Sequence, residues 1–493
     1  MINFESEILT PLYNNIERFA DRNAFCIADE FYTYRQLGER IDALRTVIRE
    51  NGLCNKIIGV VAHDSIDTYA ALWALWAEGS AYVILHSEWP KERIDEIIQQ
   101  AELEAYIDNG ELTQLEGYSH NDLQLAYVLF TSGSTGKPKG VMVGKDNLAA
   151  MMNSFWATGI DITEEDRVLQ CAELTFDYSV WCMLMAITKG ACLYTIPDEE
   201  IRFQYTGGLI DEYALTVLPV VPSTLRYLQP YFEELDMSCI RYCILGAEAL
   251  QLSIVEEFRK YAPNAEILNY YGPTECAIAS TFYQTPSSPL KGGCKNHNGV
   301  VAIGKVLKNI TAVVLDEEGN ELPVGEKGEL CIGGPHVTRG YLNNEELTCK
   351  SYFVKEVDGR PMRFYHSGDL VFQDADGDIM YVGRIDHQAK IQGFRVELSE
   401  IEHHAVTFFK NSLHREGWGG VVCLAFDNEQ GFTEIAMFIE SEEFDIEPTL
   451  QYMRTKMPSY MIPTRIVFVP VFPLNTNGKI DRNDLKSKIV NCK

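Results

Sequence analysis

Apolar, β-rich runs alternate with longer amphipathic segments along the chain as far as about Gly299. Residues 57–61, 81–85 and 217–221 are typical of buried strands, whereas residues 65–78 have the spacing of an amphipathic helix. Strands that follow one another through helices pair in parallel, and parallel sheets are covered by helices on both faces. The alternation therefore predicts an α/β fold of packed layers around mostly parallel strands.

The pattern changes after Gly299 to short strands separated by turns. Strand-like runs at residues 311–315, 328–332 and 378–382 predict a smaller, more antiparallel β subdomain. A helix at residues 398–408 and strands near residues 420–426 and 435–439 follow it. We therefore expect two domains: a large N-terminal domain, residues 1–385, with its β subdomain at about 300–385, and a small mobile α+β C-terminal domain, residues 386–493.

The composition argues against several classes of protein. With 42 Lys and Arg against 71 Asp and Glu, the formal net charge is −29, which opposes nucleic-acid binding. The amino terminus, MINFESEILT, lacks the basic and apolar segments of a secretory signal, and no apolar run is long enough to span a bilayer. The 13 cysteines include no C-x-x-C pair and none near a histidine at ligand spacing. We expect a cytoplasmic protein with reduced thiols, no structural zinc site and no membrane insertion.

A loop rich in glycine and hydroxyl side chains follows the apolar run that begins at Tyr127. Glycines permit close backbone approach, hydroxyls donate hydrogen bonds and lysines supply positive charge, and together these suit a polyphosphate. The loop is not a Walker A motif, because Thr131 stands where a glycine is required and Pro138 follows Lys137. The residues that we predict to bind the phosphates of a nucleotide are Thr131, Ser132, Gly133, Ser134, Thr135, Gly136 and Lys137.

Other motifs extend over essentially the whole chain. In order, they are residues 32–37 (YTYRQL), 75–83, 176–181 (FDYSVW), 269–275 (NYYGPTE), 328–334 with 339–342, 365–369 (YHSGD), 383–393 and 477–479 (NGK). Because the motifs occur in the order found in that family, the chain resembles the adenylate-forming superfamily. Within it, the chain resembles the amino-acid adenylation domains of non-ribosomal peptide synthetases. It is also similar to free-standing D-alanyl carrier protein ligases. The resemblance implies an enzyme that uses ATP to form an acyl adenylate and releases pyrophosphate.

The resemblance also implies roles for the nucleotide-binding residues. Asp369 would bind the ribose hydroxyls with its two acceptor oxygens, and Tyr271 would stack on adenine. Glu275 would hold a Mg²⁺ ion that bridges the phosphates, and Thr274 would contact the same phosphates. Lys479, which local sequence alone would place as a solvated lysine in a turn, would be the main catalytic cation at the α-phosphate. ATP and Mg²⁺ are expected, with no permanently bound cofactor, and the remaining predicted ATP contacts are Gly246, Ala247, Glu248, Asn269, Tyr270, Gly272 and Arg384.

Asp177 is the residue that favours an amino acid over other acids. In the amino-acid-activating branch an aspartate at this position pairs with the substrate ammonium, since a desolvated cation needs a carboxylate partner. The other pocket positions are mainly apolar and carry no charge; they are Tyr178, Trp181, Val220, Cys243, Leu245, Tyr270, Ile278 and Ala279. A charged substrate side chain would be buried unpaired there, so we expect a compact, uncharged one. The pattern specifies neither the amino acid nor its chirality; D-alanine is one candidate.

The resemblance further implies a hinge at Asp386 about which the C-terminal domain rotates between two half-reactions. One orientation would bring Lys479 to the adenylate, and the other would bring Gly393 to a phosphopantetheine arm. Because the chain ends soon after Lys479, we expect the carrier protein to be a separate chain.

Three places depart from the family pattern: His366-Ser367 replaces Arg-Thr, Gly144-Lys145 replaces an acidic residue and histidine, and His86 replaces aspartate. None of them removes a predicted catalytic group. Two alternatives remain open. One is a ligase of another acyl or aryl acid that uses coenzyme A or a carrier, whose substrate has no ammonium for the pocket carboxylate. The other is a non-catalytic nucleotide-binding protein, for which retention of the catalytic groups is unexpected.

Overall fold

The computed structural model describes residues 3–115, 124–133, 137–287, 293–385, 388–413, 420–474 and 480–491. The chain divides into two compact units. The first comprises Met1–Ser87, Ile98–Leu129 and Gly140–Ile385, and the second comprises Glu88–Ile97, Phe130–Lys139 and Asp386–Lys493. The second unit therefore includes two short segments from the N-terminal part of the chain, which the sequence did not lead us to expect.

Alternating strands and helices make up the chain as far as residue 284. The strands are β1 (Asn23–Ile27), β2 (Glu30–Thr33), β3 (Ile57–Ala62), β4 (Ala81–His86), β5 (Ala105–Asp108), β6 (Glu111–Gln114), β7 (Leu125–Thr131), β8 (Lys139–Gly144), β9 (Arg167–Gln170), β10 (Cys192–Thr195), β11 (Val217–Val220), β12 (Tyr242–Leu245), β13 (Glu266–Tyr271) and β14 (Thr281–Gln284). The helices are α1 (Thr10–Arg18), α2 (Tyr34–Glu50), α3 (Ile66–Ala77), α4 (Lys91–Gln100), α5 (Lys145–Trp156), α6 (Asp177–Ile187), α7 (Arg202–Tyr213), α8 (Pro222–Leu228) and α9 (Leu252–Tyr261).

These strands form two sheets. The first contains the order β14-β13-β12-β11-β9-β10-β1-β2, in which β1–β2 and β13–β14 are antiparallel and the other pairs are parallel. The second has the order β6-β5-β3-β4-β7-β8, and β3 pairs in parallel with β4 and β5. The α/β fold predicted from the alternation is confirmed.

Two helices of the first unit are buried on nearly all sides. Every residue of α6 is buried, and α3 contributes the fully buried Trp73 and Trp76. A helix that is apolar all round belongs inside the core rather than on its surface. The amphipathic helix α2, which buries one face only, begins with a capping box, in which Thr33 and Gln36 each accept a hydrogen bond from the backbone of the other. Burial of α6 matters for function because its first residue is Asp177.

The β subdomain of the first unit follows. Its elements are β15 (Asn296–His297), β16 (Val300–Val301), β17 (Lys305–Val306), β18 (Thr311–Leu315), β19 (Gly328–Gly333), α10 (Glu345–Ser351), β20 (Tyr352–Val357), β21 (Arg360–Gln373) and β22 (Ile379–Arg384). β17 joins the edge of the first sheet beside β14, whereas β18-β19-β21-β20, with β22 paired to β21, forms an antiparallel sheet. This antiparallel sheet carries Asp369 and Arg384.

The C-terminal part of the second unit contains β23 (Gln388–Ile391), β24 (Phe394–Glu397), α11 (Leu398–Phe408), β25 (Val421–Asp427), β26 (Thr433–Glu440), α12 (Glu447–Arg454), β27 (Arg465–Val469) and α13 (Arg482–Asn491). β23 and β24 form a hairpin whose two turn residues, Gln392 and Gly393, have φ of 52° and 89°. Two successive positive φ values are typical of the tight turns that join hairpin strands. Across the described parts of both units, none of the helices is long and apolar enough to cross a membrane.

Candidate active site

A buried carboxylate, that of Asp177, lies at the first residue of α6. The positive end of the helix dipole therefore lies beside it. Asp177 is 5% exposed, and no described residue gives its Oδ2 atom a hydrogen bond. Burial, reinforced by the charge of Glu275, raises the pKa of Asp177 to about 7, although a hydrogen bond from Thr274 and backbone hydrogen bonds lower it. One oxygen of this carboxylate is thus desolvated and unpaired, which makes ionisation costly.

Aromatic rings pack edge to face around Trp181. Its ring centroid lies 4.9 Å from that of Phe155, 5.4 Å from Tyr178 and 4.9 Å from Tyr270. The Tyr178 hydroxyl donates a hydrogen bond to the Ile244 carbonyl at 2.9 Å, which fixes its ring. Phe155 was not predicted as a pocket residue, because it comes from α5, outside the motifs, and joins the group only through packing. Because Trp181 follows Asp177 by four residues on α6, these rings form an apolar wall on the same face of the helix as the carboxylate.

The other predicted pocket residues fall into two groups. Ile278 and Ala279 belong to the same hydrophobic cluster as Trp181. The members on the neighbouring strands β11 and β12 belong to an adjacent cluster and are Val220, Cys243 and Leu245. The structure therefore brings the predicted set together only in part.

Glu275 lies in a short turn after β13, and its side chain is fully buried, at 0% exposure. The Tyr341 hydroxyl donates to Glu275 Oε1 at 2.7 Å, and the Thr338 amide donates to the Glu275 carbonyl at 3.0 Å. In the same segment Ala277 and Ile278 have φ of 44° and 78°, a region that β-branched residues rarely adopt. Such strain persists only where surrounding contacts hold it, so this carboxylate has a fixed position.

A second buried carboxylate, Asp369, lies opposite Arg384 in the ladder between β21 and β22. Arg384 Nη1 donates to Asp369 Oδ1 at 2.9 Å, and the Tyr271 hydroxyl donates to Asp369 Oδ2 at 2.6 Å. Burial raises the pKa of Tyr271, so its hydroxyl remains a donor. Asn269 Nδ2 donates to the Ala302 carbonyl at 3.0 Å. Three of the predicted nucleotide-binding side chains thus meet, whereas the amide of Asn269 bonds to the backbone.

The segment after β12 is shaped by close packing. A Cβ on Gly246 would lie 3.2 Å, and one on Gly272 2.5 Å, from a backbone carbonyl oxygen. Ala247, between Gly246 and Glu248, has a φ of 66°. Glu248 accepts hydrogen bonds from the amide and hydroxyl of Ser223 at 2.8 and 3.0 Å. In this structure Glu248 therefore binds the first turn of α8.

In the second unit, the glycine-rich loop contacts β24 and the first turn of α11. Ser132 Oγ donates to the Arg395 carbonyl at 2.8 Å and accepts from the Glu397 amide at 2.9 Å. The Gly133 amide donates to Glu400 Oε2 at 2.9 Å. Groups predicted to bind phosphate are therefore engaged by other groups of the same unit.

The other residues predicted for the glycine-rich loop, the hinge and the C-terminal domain lie in different surroundings or outside the described residues. Thr131 ends β7, and its buried hydroxyl has no hydrogen-bond partner in the described part of the chain. Lys137 is exposed, and Gly393 lies in the hairpin turn between β23 and β24. The predictions that fall outside the described residues concern Ser134, Thr135, Gly136, Asp386 and Lys479.

The side chains that depart from the family pattern each have partners. His86 Nε2 lies 3.8 Å from Glu173 Oε2, and Lys145 Nζ donates to a backbone carbonyl at 2.6 Å. His366 Nδ1 lies 2.8 Å from Glu329 Oε2 in the β subdomain. These positions are therefore accommodated locally.

The fold matches solved adenylation domains. The adenylation domain AlmE of Vibrio cholerae, solved in complex with glycyl-adenosine-5'-phosphate, has a TM-score of 0.84 at 22% identity, over 100% of this chain and 98% of that one. PA1221, an NRPS protein containing adenylation and PCP domains, has a TM-score of 0.81 at 21% identity, over 98% of this chain and 85% of that one. The fold is thus of the adenylation-domain class.

Sequence comparison gives the family. The family model for AMP-binding enzymes matches residues 12–121 and 116–342. Zwittermicin A synthase ZmaJ of Bacillus cereus is 31% identical over 504 residues, which cover 95% of this chain and 93% of that protein. Tyrocidine synthase 1 of Brevibacillus parabrevis is 32% identical over 497 residues, which cover 95% of this chain but 44% of that protein, so the chain spans less than half of this relative. The chain belongs to the family of AMP-binding enzymes, as an AMP-forming ligase.

Proposed function

We propose that the chain uses ATP to activate an amino acid as its adenylate and then transfers the aminoacyl group to the phosphopantetheine thiol of a carrier protein. The observation that carries this proposal is the buried Asp177 carboxylate, whose Oδ2 has no hydrogen-bond partner among the described residues. An α-ammonium group would give that oxygen a charge-assisted hydrogen bond and compensate its burial. An acid without an amine would leave the carboxylate buried and unpaired.

A compact, uncharged substrate side chain fits the aromatic wall best. Trp181 contacts the rings of Tyr178 and Tyr270, and each such ring pair is worth about 0.5–1.5 kcal/mol beyond the area it buries. A bulky side chain would have to separate these rings. A charged one would meet no opposite charge among the predicted lining residues.

ATP is proposed to bind beside Asp369. Arg384 already orients this carboxylate, and its second oxygen accepts from the Tyr271 hydroxyl. A ribose hydroxyl that replaced the tyrosine as donor would exchange one hydrogen bond for another at little net cost.

Mg²⁺ is proposed to bind at Glu275. The Glu275 carboxylate and the hydroxyl of the neighbouring Thr274 offer oxygen ligands, which suit a hard cation. When bound, the ion would neutralise phosphate charge. The Tyr341 hydroxyl would hold the carboxylate in place through its 2.7 Å hydrogen bond.

Lys479 is proposed as the cation that stabilises the charge that develops on the α-phosphate as the substrate carboxylate attacks it. The proposal that a carrier accepts the product is supported by the match to PA1221, which is described as containing adenylation and PCP domains. The tight turn of the β23–β24 hairpin at Gly393 is proposed to lie beside the thiol arm of the carrier.

Exchange of pyrophosphate into ATP, measured across a panel of amino acids, fatty acids and aryl acids, tests the first half-reaction. We expect exchange with one or a few small, uncharged amino acids, and loss of that exchange in Asp177→Asn with nucleotide binding retained. Exchange with fatty or aryl acids alone would reject an amino-acid substrate. No exchange of pyrophosphate with any acid would reject the proposed reaction.

A further inference from the structure

A mixed cluster of metal-binding side chains lies in the β subdomain, on the neighbouring strands β19 and β21. Cys331 on β19 and His366 on β21 are direct partners in the antiparallel ladder. Glu329 lies two residues before Cys331 and so shares its face of the strand. A register shift between Glu329 and Cys331 turns the glutamate towards His366, as β-bulges commonly re-aim side chains.

The distances within this cluster are short. His366 Nδ1 lies 2.8 Å from Glu329 Oε2 and 3.4 Å from Cys331 Sγ. One ligand atom from each of the three residues lies within 4.8 Å of the other two. Cys331 is fully buried, whereas Glu329 and His366 are half-buried, so the cluster is open towards solvent on one side.

We propose that Glu329, Cys331 and His366 bind a zinc ion through a carboxylate oxygen, Sγ and Nδ1. Thiolate, imidazole and carboxylate are the ligands that zinc takes in proteins, at about 2.0–2.3 Å. In a tetrahedral site these bond lengths separate neighbouring ligand atoms by about 3.5 Å. The sulfur–nitrogen distance already matches this value, and Glu329 has to retreat from His366 by only about half an ångström. Three protein ligands leave a fourth position for water.

The identity of residue 366 favours a metal over an ordinary ion pair. A neutral histidine is a common zinc ligand, whereas an arginine here could pair with Glu329 but could not coordinate a cation. Phe353 packs against one side of the His366 ring, with centroids 4.5 Å apart, and so restricts its orientation. Sequence spacing could not reveal the site, because Cys331 and His366 meet only through strand pairing.

Zinc binding requires definite changes in protonation. Burial raises the pKa of the Cys331 thiol, so the sulfur keeps its proton in the metal-free protein. Coordination forms the Zn–S bond and releases that proton to solvent. His366 must offer the lone pair of Nδ1, so its ring proton resides on Nε2 and its hydrogen bond to Glu329 is replaced by the metal.

Titration of the full-length, metal-free protein with Zn²⁺ against a chromophoric zinc indicator tests the proposal, and Co²⁺ absorption reports whether a thiolate is coordinated. Cys331→Ser and His366→Arg are the test variants, and Cys349→Ser, at an exposed free cysteine of α10, is the matched control. We expect one ion per chain in the wild type and the control. We expect an affinity loss of at least about 10–100-fold in both test variants, and no cobalt–thiolate band in Cys331→Ser.

Failure of the wild type to bind Zn²⁺, or equal binding by Cys331→Ser and Cys349→Ser, would overturn the proposal. His366→Arg keeps the test decisive if Cys331→Ser misfolds, since residue 366 is half-exposed and arginine can pair with Glu329. Undiminished zinc binding by a folded His366→Arg protein would also overturn it. Thermal unfolding of each metal-free variant establishes that it is folded.

Discussion

Asp177→Asn should stabilise the substrate-free protein at alkaline pH while it removes the proposed ammonium partner. Asparagine keeps the shape and one acceptor oxygen but removes the charge whose burial raises the pKa of Asp177 from 3.8 to about 7. A rise in the pKa of Asp177 from 3.8 to about 7 corresponds to a cost of about 4 kcal/mol for the ionised carboxylate. The wild type bears this cost in full only at a pH well above the pKa of the folded state, where the carboxylate is ionised in both the folded and the unfolded state.

The pH dependence has a definite sign. The unfolded chain releases the Asp177 proton near pH 3.8 and the folded protein near pH 7, so the folded state holds more protons in between. The wild-type free energy of unfolding therefore falls as the pH rises through this window. Relative to the variant, the wild type should lose about 2 kcal/mol between about pH 5.5 and about pH 8.5. A bound amino acid should restore stability to the wild type alone.

Urea unfolding of the wild type and the variant at both pH values gives the free energy of unfolding of each protein. The change in free energy between the two pH values is then compared between the proteins, so that any pH-independent effect of the substitution cancels. Asp166→Asn is the matched control, because Asp166 is also buried but pairs with Arg241 at 2.7 Å. That variant should be destabilised at both pH values, since it loses half of an ion pair. A stability advantage of Asp177→Asn that did not grow with pH would refute the view that an unpaired, buried charge lies at this position.

Three further predictions concern other residues. Tyr341→Phe removes the 2.7 Å hydrogen bond to Glu275 and should cost about 1–3 kcal/mol in urea unfolding. It should also raise the Mg²⁺ concentration needed for half-maximal pyrophosphate exchange. An unchanged Mg²⁺ dependence would contradict the proposed role of Tyr341. Arg93→Met leaves the buried Glu400 carboxylate without the cation that lies 2.9 Å from it, which should cost about 3–5 kcal/mol in urea unfolding. Adding Glu400→Gln to this variant should recover much of that loss. Lys479→Ala should abolish pyrophosphate exchange yet spare transfer from a preformed adenylate to a carrier, and equal loss of both steps would reject the two-orientation proposal.

Local pattern was sufficient to predict much of the fold. The apolar run at residues 57–61 is observed as β3 (Ile57–Ala62), and the run at residues 311–315 as β18 (Thr311–Leu315). Both are short, strongly apolar and bounded by turns, so neighbouring residues determine their conformation. The helix expected at residues 398–408 likewise begins and ends where α11 does.

Features that depend on distant parts of the chain were not predictable in the same way. Phe155 reaches Trp181 from another helix, and Tyr341 reaches Glu275 across 66 positions, so no periodicity reports either contact. The pairing of Cys331 with His366 depends on strand register and on the irregularity beside it. Such contacts follow from the closed fold rather than from local preference, so the spacing of cysteines and histidines in the sequence could not indicate the proposed zinc site.

Asp177 and Glu275 form a pair of buried carboxylates that stability alone does not explain. The charge of Glu275 adds to burial in raising the pKa of Asp177, so each ionised carboxylate makes the other more costly. The segment after Glu275 carries further strain, since a β-branched residue at the φ of 78° seen for Ile278 costs about 1–3 kcal/mol. Apolar residues of similar volume would be more stable here. The arrangement is explained if a cation compensates each charge during turnover, an ammonium group at Asp177 and Mg²⁺ at Glu275. The stability that the empty site loses is then recovered as binding energy for these ligands.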